Sequence, residues 1–177
     1  VPALTKKFSY QDKLYGIAWY NDSRCMFYNT EHLDKAGYNK PPKKWDEFVT
    51  VCQDIQAKGI CRYPMVGAFA ASAEGFTEFE LLMYSFGLKE GMDHPETWFW
   101  FDEEGEPTVN KPGSGCPEGL QFLYDCIYKY KIVDPAFATF TDWEITSNIF
   151  FSGEASFFLP GFSGVWSYGQ DPSKSKI

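Results

Sequence analysis

Apolar positions along this chain recur with two different periods. Between Lys44 and Lys58 they fall at Trp45, Phe48, Val49, Cys52 and Ile55. Steps of three and four put these residues on one side of a helix and predict a single buried stripe, closed by Gly59. The same spacing returns over residues 117–130 with Leu120, Leu123, Ile127 and Tyr130, and Pro117 stands in the first turn, where proline is favoured. Shorter helices are predicted over residues 31–36, stopped by Gly37, over 76–86, stopped by Gly87, and over 143–151, with Asp142 as N-cap. Apolar and aromatic runs at 15–19, 25–28, 60–68, 98–101 and 106–109 read as strands. Pro64 inside the third run marks an edge or a bend. Asn21-Asp22 is turn chemistry and predicts a hairpin, or a strand–loop–strand corner, between the first two runs. Residues 70–75, all small apart from Glu74, read as a flexible connection. Strands alternating with helices predict an α/β architecture, a central mixed sheet flanked by helices on both faces.

The 177 residues suffice for one domain with a proper core. A net charge of −8 argues against nucleic acid or an anionic membrane surface as partner. No run approaches the roughly 20 apolar residues of a membrane helix. Aromatic residues make up 19 % of the chain. Such rings serve either as core or as flat platforms for the C–H faces of sugars. The five cysteines show no Cys-x-x-Cys spacing, so neither a zinc nor a redox motif is present. Cys116 and Cys126, on one helix, lie roughly 15 Å apart along its axis, too far for a disulfide. Cys52 and Cys61 either pair in an oxidising compartment or are small buried residues. His32 and His94 stand far apart without a partner motif and read as surface residues. The acidic cluster Asp102-Glu103-Glu104 is a solvated turn with too few ligands for calcium. Nothing in the sequence calls for a metal or a cofactor.

One ordered string carries more information. Gly16-Ile17-Ala18, a polar loop, Tyr28-Asn29, a short helix ending in Ala36-Gly37, and then Pro41-Pro42-Lys43-Lys44-Trp45-Asp46-Glu47 follow one another. Further on come Ile132-Val133-Asp134-Pro135, Phe150 to Ala155, and Pro160-Gly161 to Trp166. This order resembles the extracellular solute-binding proteins of ABC sugar importers, the maltose-binding-protein-like family, with Ala18 in place of the usual proline and Lys44 in place of the usual threonine. The resemblance implies a type II periplasmic-binding-protein-like lobe. It implies that residues 1–177 form a single lobe, the C-terminal one of a two-lobed protein, with 1–14 as a hinge-proximal lead-in. It also implies a sugar or polyol ligand, docking on permease subunits, and a periplasmic or extracellular location, with the membrane reached only through the permease or a lipid anchor outside this chain.

Three segments are expected to meet at the ligand: the loop holding Trp19, Asp22 and Arg24, the helix start with Phe76 and Thr77, and the loop with Gly161, Phe162 and Trp166. An ionised Asp22 can accept bidentate hydrogen bonds from neighbouring hydroxyls, or it shapes an Asx turn with Asn21. Catalytic residues are not expected. Two other readings remain. A glycoside hydrolase needs two carboxylates across a sugar, for which Asp22 and Glu78 are the candidate pair. A protein-interaction module would use exposed rings as anchors.

Overall fold

A computed structural model describes residues 8–17, 24–87, 106–107, 109–161 and 163–177. Its organising element is β5 (Phe157–Gly161), the middle strand of a three-stranded mixed sheet. On one side β5 runs antiparallel to β3 (Cys25–Tyr28), with Cys25 opposite Gly161 and Tyr28 opposite Phe157. On the other side it runs parallel to β4 (Met65–Val66). Met65 makes a further parallel bridge to Val133, so the pattern continues past β4. Between Cys25 and Phe27 the register slips, and β5 carries one residue more than β3. That extra residue accommodates Pro160, which has no N–H to give to a ladder.

The strand pairing differs from the expected hairpin. Residues 15–17 are not strand; instead β1 (Ser9–Tyr10) and β2 (Lys13–Leu14) form a separate small hairpin about Gln11 and Asp12, both at positive φ. Among the described residues the partner of β3 is a strand roughly 130 residues further on, a separation that local turn chemistry does not report. The expected strand over 60–68 shrinks to Met65–Val66, because residues 60–64 are bends or irregular and Pro64 can only accept, its carbonyl taking the amides of Ser156 and Phe157. At 106–109 a bridge at Pro107 is followed by a turn at Val109. The run at 98–101 lies outside the described residues.

The helices follow the predicted pattern with instructive exceptions. Helix α1 (Thr30–Ala36) is capped by Asn29, whose side chain accepts from the His32 amide, and ends at Gly37 with φ +92°. Only a residue free to enter the left-handed region lets the Tyr38 amide reach back to Leu33 O at 2.9 Å. Helix α2 (Trp45–Ala57) buries Phe48, Val51, Cys52 and Ile55. Helix α3 (Ala73–Gly87) begins a turn earlier than expected. The small residues about its start pack closely, since a Cβ at Gly75, in its first turn, would stand 1.9 Å from Ala70 O. Helix α4 (Cys116–Tyr128) buries Cys116, Gly119, Cys126 and Ile127, and leaves Leu120 59 % exposed. A short 3-10 turn (Pro135–Thr139), α5 (Trp143–Phe151, capped by Asp142) and α6 (Ser163–Gly169) complete the described elements.

The core lies between this sheet and its helices, with Phe48, Phe150, Phe157, Phe158, Met65 and Ile132 fully buried. Cys52 and Cys61 are both buried free thiols, so the pairing considered above is not formed. Burial pushes the Cys126 thiol up to about 12 and Cys52 well above its usual value. These thiols act as core side chains.

Candidate functional site

The antiparallel register of β3 and β5 gives the sheet two distinct ends. At one end stand Gly161 and Arg24, the residue just before β3. Helix α3 packs against β5. Thr77 is half-buried, and the Arg24 guanidinium acts on Glu80, three residues along the same helix. Burial raises the Glu80 carboxyl, and the positive charge of Arg24 opposes that rise. Arg24 therefore stands beside Gly161 across the β3–β5 pair and reaches Glu80, midway along α3. No motif announces Glu80. Phe76 lies in α3. Trp19, Asp22 and Phe162 lie outside the described residues.

Trp166 does not stand at that end. Its ring, 60 % exposed, lies 6.4 Å from Phe27 and lines a cavity of about 410 Å³ with Tyr28, Glu31, Phe151 and Gln170, toward the opposite end of β3. Glu78, the second carboxylate of the hydrolase reading, is only 3 % exposed. Its carboxylate sits beside the Gly67 backbone, where an added Cβ would come within 2.6 Å of it. No group of three or more His, Cys, Asp or Glu residues able to hold a metal ion occurs among the described residues.

His32 corrects the surface assignment made from sequence. It is 7 % exposed, and its Nδ1 lies 2.9 Å from Ser156 Oγ. Ser156 also hydrogen-bonds Cys61, whose thiol donates to Glu154 O at 2.9 Å. The His32–Ser156 hydrogen bond runs in the direction the imidazole tautomer sets. Desolvation, helped by Lys35 and opposed by Glu31, lowers the His32 pKa. A base whose folded pKa is depressed stabilises the fold above its unfolded value of about 6.5, and that contribution is lost as pH falls below it. The melting temperature should thus drop on acidification from pH 7 toward 5, and His32→Gln should flatten that limb. Parallel melting-versus-pH curves for the two proteins would contradict this account.

The mixed sheet and the flanking helices define an α/β fold of the type II periplasmic-binding-protein kind. The chain belongs to the bacterial extracellular solute-binding protein family, whose pattern matches residues 2–176. It is similar to a probable ABC transporter-binding protein of Deinococcus radiodurans, 41 % identical over 56 residues covering 32 % of this chain and 13 % of that protein. It is also similar to an arabinooligosaccharide-binding protein of Halalkalibacterium halodurans, 27 % identical over 135 residues covering 76 % of this chain and 26 % of that protein. Among solved structures, maltose-bound T. maritima MalE3 superposes with a TM-score of 0.79 at 26 % identity, over 99 % of this chain and 41 % of that one. A chitin oligosaccharide binding protein gives 0.75 at 24 % identity, over 98 % of this chain and 40 % of that one, and shares the fold. This chain thus spans about two fifths of the length of those solved structures. No described helix is long and apolar enough to cross a membrane.

Proposed function

We propose that this chain is part of the substrate-binding component of an ABC importer. It forms the C-terminal lobe, with residues 1–14 as the lead-in from the hinge, and holds one side of a mono- or oligosaccharide or a polyol. Closure of a second lobe over the ligand prepares delivery to the permease at the outer face of the membrane. The observation that carries this reading is the placing of Arg24 beside Gly161 at one end of the sheet, within electrostatic reach of Glu80 in α3. Open α/β sheets bind ligands at such strand ends. The solved relative at 26 % identity holds maltose. Phe8, Tyr10, Leu14, Tyr15 and Ile17, all exposed on and beside the β1–β2 hairpin, suit a segment packed against another part of a larger protein. Binding rather than hydrolysis is the better reading, because Glu78 is too buried to reach a sugar.

The test is a thermal-shift screen of mono- and oligosaccharides on the full-length protein. A sugar should raise the melting temperature without release of reducing ends. Turnover would favour the hydrolase, and indifference to every sugar and polyol would remove the proposal. Within that protein, Asp22→Asn keeps the turn but removes a charged acceptor. It should cost about 1.5–3 kcal/mol of affinity with little change in melting temperature. Unchanged affinity would make Asp22 a turn residue only.

A further inference from the structure

The two faces of β3 open into different spaces. Phe27 faces the cavity of Trp166, whereas Met26 lines a second cavity of about 450 Å³. This second cavity is walled by Trp45, Phe48, Leu81 and Leu159, with Lys43 and Lys44 at its edge. Trp45 is fixed there. Its indole N–H donates to Ser85 Oγ at 2.9 Å, and its ring stacks on Phe86 and contacts Phe122. The wall is thus rigid and apolar, and a volume of this size falls in the range of small-molecule pockets.

Charge decides what such a pocket selects. Both lysines are exposed and neither makes an ion pair with a described residue. The nearby acids are engaged with backbone instead: Glu47 accepts from the Lys43 amide, and Asp46 from the Glu47 amide. Two uncommitted ammonium groups therefore border an apolar cavity in a chain whose net charge is −8. None of the lining residues is among the large exposed apolar side chains, so the cavity lacks the broad apolar surround that a protein partner would cover.

We propose that this cavity is a binding site for a small amphipathic carboxylate, with an aromatic or aliphatic body against Trp45, Leu81 and Leu159 and its anionic end between Lys43 and Lys44. None of the residues lining this cavity is one of the candidate sugar contacts. The probe is 4-phenylbutyrate, with its neutral amide as control. The readout is the NMR signals of the Trp45 indole N–H and the Met26 methyl in the 177-residue chain. The carboxylate should shift both signals saturably and bind about fivefold to tenfold more tightly than the amide, the scale of one or two exposed ion pairs. The double variant Lys43→Gln, Lys44→Gln alters only exposed side chains and should erase that difference. Added salt should weaken the carboxylate more than the amide. Equal affinity for acid and amide would overturn the proposal. So would a preference that survives in the double variant, or shifts confined to Arg24 and Thr77, or none at Trp45 and Met26.

Discussion

Phe157→Ala should destabilise the fold by about 3–5 kcal/mol, the usual cost of emptying a fully buried phenylalanine site. Phe157 opens the central strand and is paired on both sides, with Tyr28 across one edge and Met65 across the other. Its ring lies 4.9 Å from that of Phe48, in edge contact, and so ties the sheet to α2. The cavity left behind could not collapse easily, because its walls belong to three elements that β5 itself holds in place. Domains of this size are stable by only about 5–15 kcal/mol, so the loss is a large share of the whole. Leu120→Ala is the natural comparison. Sequence periodicity places Leu120 on the buried stripe, but its exposure predicts a change within about 0.5 kcal/mol. Urea unfolding of both variants decides the matter. A cost below about 1 kcal/mol at Phe157 would mean that β5 is not the centre of the sheet.

Gly115→Ala should be nearly as damaging, at about 3 kcal/mol or more, though it adds only a methyl group. Gly115 sits at φ +89°, just before α4, and an added Cβ would fall 2.0 Å from Met83 O and 2.5 Å from Gly87 N. Those atoms are backbone of α3, and neither can turn aside as a side chain would. Gly87 and Gly119 serve the same contact, with would-be Cβ atoms 2.6 Å from Ser114 O and 3.1 Å from Met83 N. Gly59→Ala separates strain from collision. Gly59 also has positive φ, +67°, yet nothing lies within 4 Å of its missing Cβ. It should lose only the conformational part, about 1 kcal/mol. Equal costs at the two glycines, measured by thermal unfolding, would refute close packing as the cause.

These positions also show which features the sequence could reveal. Local signals were legible: the stripe of α2, Gly37 as a left-handed stop, Pro117 in the first turn, and Asp142 as a cap. Each depends on residues a turn or less apart. Glycines that serve as contact surfaces were not legible, because a missing side chain leaves no mark on an apolar pattern. That is why Leu120 was placed on the wrong face while Gly119 faces α3. His32 was misjudged for a related reason, since its partner Ser156 is distant in sequence and one hydroxyl suffices to satisfy a buried imidazole. Of the candidate ligand residues, Arg24 and Gly161 come together through the β3–β5 register, which no local pattern in the sequence reports. Trp166 was grouped with them because the Gly161–Trp166 loop resembles the family's, whereas the turns of α6 carry its ring beside Phe27.

The position of β5 between two strands that precede it by long stretches of chain also has a kinetic consequence. Until residues 157–161 are available, β3 and β4 lack the strand that joins them, and the edges it covers stay bare. A growing polypeptide can wind its helices early, but it cannot close this sheet until most of the 177 residues exist. Loops this long make the contacts that define the sheet slow to find, which favours a late, concerted assembly step. Nascent chains halted before Phe157 should therefore resemble a helical, protease-sensitive collapsed state, and protection should appear abruptly once Gly161 has emerged.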